Sequence, residues 1–245
     1  MQKITKALVI KVMDVKENDR LVTLLTSDLG LIRAFVSGGK KTNHKNHAAT
    51  SLFSYADFLL TTSGDTYKVK EATLISSFFK LSSDIISLSL AQYFCELAGT
   101  LAPEDVSSNE HLRLTLNTLN FLTQGVKSEK ILKSIFEMRI LSISGYMPDL
   151  IACSECGKFE DDIMCFYYEN GALLCHECKS EGKFAYIDKT ILSALRHIIY
   201  SDFNKLFNFI IPEESAVKLS KITEEYLLFQ TDRSYQTLNF YKSLI

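Results

Sequence analysis

Two Cys-x-x-Cys pairs impose the strictest folding requirement on this 245-residue chain. Eighteen residues separate the pair "CSEC" from the pair "CHEC". Zinc takes four tetrahedral ligands, and each short Cys-x-x-Cys turn offers two thiolates on one side of the ion. Gly157, directly after the first pair, can adopt the left-handed backbone that such a turn often needs. The spacing therefore predicts one structural Zn²⁺, held by Cys153, Cys156, Cys175 and Cys178.

The other uses of four cysteines fit this sequence less well. The apolar N-terminal stretch is interrupted by Lys11 and Asp14 and lacks a signal-peptide cleavage site, so we expect a cytoplasmic protein with reduced thiols. A thioredoxin-like redox pair would need a βαβ context, and none is predicted near Cys153. Four thiolates also leave no open position for a catalytic water. Iron stays an alternative to zinc, because four thiolates suit either metal.

Two neighbours of the cysteine pairs need a separate interpretation. His176 could replace a thiolate, but all four ligand positions are already filled, so we expect it to be exposed. Cys165 lies in a short predicted hairpin that turns at Asn170 and Gly171, and we expect a buried, apolar thiol there.

The first 80 residues show the pattern of β-strands. The segment 7–15 is apolar and β-branched, and two hairpins follow, one turning at Ser27–Gly30 and the other at Ser63-Gly64-Asp65. One longer excursion, "SGGKKTNHKNHAATS", separates the third strand from the fourth. Five strands with short connections predict a small barrel such as the OB-fold, although the pattern alone leaves other small barrels open.

After residue 80 the hydrophobic period becomes helical. Apolar spacing, glycine stops and cap residues predict five helices within 82–101, 108–125, 127–148, 188–203 and 213–232. The predicted fold is therefore a multidomain α+β chain. An OB-fold barrel that binds nucleic acid covers residues 1–80. An all-α domain covers residues 81–245 and carries the zinc-finger insert, with its four cysteines, at about 150–183.

Positive charge is concentrated in the first third of the chain. Residues 1–80 carry 12 Lys and Arg against 7 Asp and Glu, whereas the remaining 165 residues carry 15 against 22. Such an asymmetry favours an anionic partner for the N-terminal part, and protein partners for the acidic helical part, although charge differences of this size are also common without a partner.

The alternation of the third predicted strand indicates which side chains face outward. Ile32, Ala34 and Val36 form an aliphatic set that should point into the barrel, which leaves Arg33 and Phe35 side by side outside. A cation for phosphate and a ring for base stacking are typical of single-strand binding. The predicted DNA-binding residues are Arg33, Phe35, Lys40, Lys41, Lys45, Lys68 and Lys70. The alternative is that Lys68 and Lys70 form an ordinary solvated edge and Phe35 is half-buried packing.

No catalytic motif is present in the sequence. "SGGKKT" lacks the spacing of a phosphate-binding loop, and there is neither a nucleophile elbow nor a His-Glu-x-x-His pair. We therefore expect a protein that is not an enzyme.

Three segments resemble the RecO family of bacterial DNA repair proteins. They are "KALVIKVMDVKENDRLVTLLTSDLGLIRAFVSGGKK", "FEMRILSISGYMPDLIACSECGK" with its Gly-Tyr-x-Pro-x-Leu helix end, and "GALLCHEC". The resemblance implies an N-terminal OB-fold, a zinc-bearing helical domain, and binding of single- and double-stranded DNA. It also implies annealing of complementary strands in the RecF pathway. Its partners would be RecR and the C-terminal tail of the single-strand-binding protein, with RecA loaded indirectly. The family's loop after the third strand is usually richer in arginine, whereas lysine, histidine and asparagine stand here.

The resemblance thus implies a recombination mediator, which we expect in the cytoplasm, associated with the nucleoid. The alternative is a zinc-stapled protein-interaction adaptor whose barrel binds only proteins. A third hypothesis, an unrecognised zinc-stapled enzyme, has no residues to support it.

Overall fold

The computed structural model describes residues 2–15, 17–63 and 66–245. The chain divides into two compact units, one formed by Met1–Val126 with Tyr235–Ile245 and the other by Lys127–Ser234. No helix among the described residues is both long and apolar enough to cross a bilayer.

A closed five-stranded barrel begins the first unit. Its strands are β1 (Gln2–Val15), β2 (Asp19–Thr26), β3 (Leu31–Val36), β4 (Ser54–Ser63) and β5 (Thr66–Ser77). The order around the barrel is β1-β2-β3-β5-β4, with β3 parallel to β5 and the other pairs antiparallel. This arrangement confirms the predicted OB-fold barrel. The second hairpin joins β4 to β5 as expected, although the Gly64-Asp65 part of its turn lies outside the described residues.

Alternating aliphatic side chains fill the barrel. The core contains Val9, Val22, Leu24, Ile32, Ala34, Val36, Phe58 and Leu60. Burial of each large apolar side chain contributes about 1.5–3 kcal/mol, and a slip of one residue would turn a whole strand's set outward. The core therefore fixes which side chains of β3 and β5 reach the surface.

Gly30, at the turn between β2 and β3, is fitted closely to the segment 103–106. Its φ is +72°, and a Cβ at this position would lie 2.5 Å from the carbonyl oxygen of Pro103. The next amide, that of Leu31, donates to the same oxygen at 2.9 Å. Only glycine combines this backbone conformation with so close an approach.

Helices complete the first unit. After a 3₁₀ turn at Phe79–Ser83 come α1 (Ile85–Leu101) and α2 (Asn109–Gln124), and the chain ends with α6 (Gln236–Lys242). The sequence analysis did not predict α6. It packs on α1, where the ring of Tyr235 meets that of Tyr93 edge-on at 6.1 Å.

The second unit combines three helices with a small sheet. The helices are α3 (Glu129–Ile143), α4 (Lys189–Tyr200) and α5 (Glu213–Thr231). The sheet has the order β6-β8-β7-β9 and contains β6 (Asp149–Cys153), β7 (Ile163–Tyr167), β8 (Ala172–Cys175) and β9 (Phe184–Asp188). The hairpin of β7 and β8 is the one predicted to turn at Asn170 and Gly171.

Candidate functional site

The ends of two neighbouring strands bring the four predicted cysteine ligands together. Cys153 ends β6 and Cys175 ends β8, and these strands run parallel. The Sγ atoms of Cys153, Cys156, Cys175 and Cys178 all lie within 4.8 Å of one another. This group could hold a metal ion.

Backbone hydrogen bonds shape each Cys-x-x-Cys turn. Gly157 has a φ of +74° and donates to the carbonyl of Cys153 at 2.9 Å, as expected of a glycine in this position. Cys153 donates in turn to the carbonyl of Lys158 at 2.9 Å, and Cys178 donates to that of Cys175 at 3.2 Å. The cysteines are therefore held in place by the backbone as well as by any ion.

The thiols of this group influence one another's ionisation. Burial of Cys153 opposes its ionisation, but backbone N–H groups, led by that of Cys156, outweigh burial and lower its pKa to about 6. Hydrogen bonds with the thiols of Cys175 and Cys156 raise the pKa of Cys178 to about 12. Four sulfurs so close cannot all ionise without a cation, which is the donor chemistry that zinc or iron satisfies.

The two neighbours of the cysteine group lie where the sequence predicted. His176 is exposed and lies outside the group of metal-binding candidates. Cys165 is fully buried in β7, and burial raises the pKa of its thiol. The group that could hold a metal ion therefore consists of the four predicted cysteines.

Four of the seven predicted DNA-binding residues share the outer face of the barrel. Arg33 is exposed and Phe35 half-buried, whereas the alternate residues of β3 are buried. On β5, Lys68 and Lys70 are exposed. Phe35 is the register partner of Lys68 across the parallel pair, so the two side chains leave the sheet on the same side.

The long segment between β3 and β4, residues 37–53, folds back onto the barrel. Ala49 belongs to the barrel core. The buried side-chain carbonyl of Asn46 accepts a hydrogen bond from the backbone N–H of Ala72 on β5 at 3.2 Å. The hydroxyl of Thr50 donates to the backbone carbonyl of Asn46 at 2.7 Å. These contacts hold the loop and its lysines against the strand that carries Lys68 and Lys70.

Acidic side chains accompany two of the three predicted loop lysines. Lys40 pairs with Asp14 at 3.5 Å, and Lys45 pairs with Glu71 at 3.4 Å. Within residues 2–15, 17–63 and 66–245, no ion pair involves the other predicted cations, which are Arg33, Lys41, Lys68 and Lys70.

The sequence assigned none of Asp14, Glu71 and Asn46 to this surface. Their roles depend on which loop residue lies against which strand. A run of polar residues does not reveal that pairing.

The family model for the N-terminal part of recombination protein O matches residues 1–78, and the model for its C-terminal part matches residues 82–238. The DNA repair protein RecO of Acetivibrio thermocellus is 30% identical over 98% of this chain and 96% of its own length. That of Clostridium kluyveri is 27% identical over 98% and 93%, and that of Caldicellulosiruptor saccharolyticus 26% over 97% and 96%. With both family models matched and a relative of this identity spanning nearly the whole chain, the protein belongs to the RecO family of DNA repair proteins.

Proposed function

We propose that this RecO-family protein is a recombination mediator that binds single- and double-stranded DNA through the outer face of its barrel. In this role it anneals complementary strands in the RecF pathway. With RecR, it helps to load RecA onto DNA covered by the single-strand-binding protein. It acts at the nucleoid in the cytoplasm.

The observation that supports DNA binding is the position of Phe35 between cations. Arg33 lies two residues before Phe35 on the same face of β3, and Lys68 is the register partner of Phe35 on β5. Cations that neutralise phosphates give strong, salt-dependent binding, and stacking on a ring adds about 1–3 kcal/mol per base. Both contacts are indifferent to base sequence, which suits a protein that must accept any broken chromosome end.

Annealing requires no bond-making side chain. A mediator has to hold one strand with its bases accessible and to screen the repulsion between two phosphate backbones. A face with one ring and several cations can do both. We therefore assign DNA binding to residues 1–80 and partner binding to residues 81–245, and we assign no catalytic role to any residue.

The metal is proposed to be one structural Zn²⁺. Cys153, Cys156, Cys175 and Cys178 would hold it, and four thiolates would close its coordination sphere. When bound, it would supply a staple between the ends of β6 and β8 and no reaction chemistry. Metal analysis of the purified protein distinguishes zinc from iron.

A groove in the second unit suits the tail of the single-strand-binding protein. Its volume is about 380 Å³, and it lies along β9 and α5. Exposed Ile163 and Tyr186 give it an apolar side, and Lys218 and Lys221 line it beside acidic partners that lie 3.1 Å from Lys218 and 3.9 Å from Lys221. An extended peptide with apolar side chains would fit such a groove, and its acidic residues would compete with those partners for the two lysines. Replacing Lys218 and Lys221 with alanine should weaken capture of the tail peptide, and unchanged capture would remove the groove from the proposal.

Fluorescence anisotropy with a labelled single-stranded oligonucleotide tests the DNA-binding face. The triple variant R33A/K68A/K70A should bind less tightly, and its slope of log affinity against log salt should fall by about 2, because each lost phosphate contact removes about 0.7 on single strands. F35L should weaken binding at an unchanged slope.

The matched control is K183A/K189A/K205A. It removes three positive charges from residues 127–234 and should leave the slope unchanged. If the wild-type protein binds the oligonucleotide without a salt dependence, or not at all, the adaptor alternative replaces DNA binding.

A further inference from the structure

We infer that Asp14 and Glu71 set the affinity of the barrel for nucleic acid by holding Lys40 and Lys45, two cations of its own binding surface. The inference rests on the proposed DNA-binding function and adds two acidic residues to that surface. Within the described residues, the barrel bears these two lysines in ion pairs, whereas the cations on its β3–β5 face are unpaired.

Each of these two ion pairs is called a tether below, and the first, between Lys40 and Asp14, lies at the far end of β1. The carboxylate of Asp14 accepts from the guanidinium of Arg20 at 3.2 Å and pairs with Lys40 at 3.5 Å. The backbone N–H of Lys40 donates to the carbonyl of Asn18 at 3.1 Å, so the loop lies against the β1–β2 connection here. The lysine is thus held close to its acid by the backbone.

The second tether lies on β5, directly after Lys70. Lys45 pairs with Glu71 at 3.4 Å, and its neighbour Asn46 is anchored to the backbone of Ala72 at 3.2 Å. Because the backbone is fixed beside Glu71, the ammonium group of Lys45 needs only a change of rotamer to move from the carboxylate to a phosphate on the same face.

The exposure of both pairs makes them exchangeable. Lys40 and Asp14 are 46% and 49% exposed, and Lys45 and Glu71 are 64% and 60% exposed. Ion pairs this exposed contribute little to stability and are screened by salt, so a phosphate can displace the carboxylate. The displaced carboxylate is then left near the DNA backbone, which opposes binding.

Two consequences follow for the bound state. Each tether weakens binding, because a lysine must leave one anion to reach another. Each tether also lowers the salt dependence of DNA binding. The carboxylate that loses its lysine takes up a salt cation from solution, and this uptake offsets the cation that the phosphate releases when the lysine neutralises it. A strand held in this way is released more readily, as an annealing protein requires.

The test compares Glu71→Gln with wild type in the full-length, metal-containing protein, with labelled oligothymidylate as the probe. The expected result is a two- to five-fold lower Kd, as expected for removal of an exposed ion pair. The salt slope should become steeper by up to about 0.7. Asp14→Asn should act in the same direction. The matched control is Asp57→Asn, which removes one negative charge from β4 at a residue without an ion pair among the described ones.

A double-mutant cycle separates the tether from a general effect of charge. If Glu71 acts through Lys45, the gain from E71Q disappears in the K45A background, and D57N alone gives less than E71Q. A gain that persists in K45A, a gain equalled by D57N, or no gain at all would overturn the inference. The test applies when the wild-type protein binds the oligonucleotide in a salt-dependent way and the R33A/K68A/K70A variant binds it less tightly. If that binding is missing, the DNA-binding proposal itself has failed.

Discussion

Replacing Lys133 with methionine should severely destabilise the second unit. The side chain of Lys133, on α3, is buried where this helix packs on α5, and its ammonium group has three acceptors. The carboxylate of Glu137 lies at 2.8 Å, that of Glu224 at 2.9 Å, and the backbone carbonyl of Ser220 at 3.2 Å. The second oxygen of Glu137 accepts from the hydroxyl of Thr223 at 2.7 Å. Every donor of the ammonium group is therefore used.

The expected loss in the free energy of unfolding comes from the two carboxylates that remain without a cation after the substitution. At an effective dielectric constant of about 20, each contact of the ammonium with a carboxylate represents about 6 kcal/mol of Coulomb attraction, most of it offset by the desolvation of the charges. Methionine removes the attraction but leaves two carboxylates, and that of Glu137 is fully buried. Removing one partner of a buried pair costs about 3–5 kcal/mol, and we expect K133M to fall in this range.

Urea unfolding followed by far-UV circular dichroism measures this loss, with K133M/E137Q as the matched rescue. Glutamine keeps an oxygen for the Thr223 hydroxyl and removes one of the two negative charges, so the double variant should recover about 2 kcal/mol. A loss below about 1 kcal/mol in K133M, or a double variant less stable than K133M, would show that water or rearrangement compensates the carboxylates and that the burial argument is wrong.

Three further predictions concern the metal, a turn and a histidine. C153S should lose the bound metal, whereas C165S should keep it, as elemental analysis after dialysis would show. G30A should lower the free energy of unfolding by about 3 kcal/mol, measured in urea, because alanine resists the positive φ and its Cβ would strike the backbone. Burial lowers the pKa of His111 to about 4 from its ordinary 6.5, so the folded state binds fewer protons than the unfolded one. Stability should therefore fall as the pH drops from about 6.5 towards 4, and H111Q should flatten that decline in urea midpoints.

The sequence predicted those features that depend on local spacing. Alternation in β3 correctly assigned Ile32 to the core and Arg33 to the surface, since side-chain direction in a strand depends only on parity. The four cysteines lie together as expected, because two Cys-x-x-Cys turns leave few other arrangements, and their binding of a metal stays a prediction. Whether the predicted residues bind DNA stays a prediction.

Other features could not be predicted, because they depend on distant residues. The seven-residue helix α6 is too short to show a helical period, and its place on α1 is set by contacts such as that of Tyr235 with Tyr93. Lys133 resembles any solvated lysine in its sequence context, "EKILKSIFE", and only the packing of α3 on α5 buries it. The carboxylates that hold the loop lysines likewise become partners only once the loop is folded onto the barrel.

The chemistry of lysine gives the two loop tethers their expected behaviour. Arginine would meet a carboxylate with a planar fork and two hydrogen bonds, and each exchange for phosphate would break both. An ammonium group is a point charge on a flexible stem, so Lys45 can leave Glu71 by breaking a single contact of 3.4 Å. A loop that carries lysine rather than arginine thus sacrifices some strength of phosphate binding but exchanges its anions more easily. Fast exchange favours a protein that must hold a strand long enough to pair it and then let go.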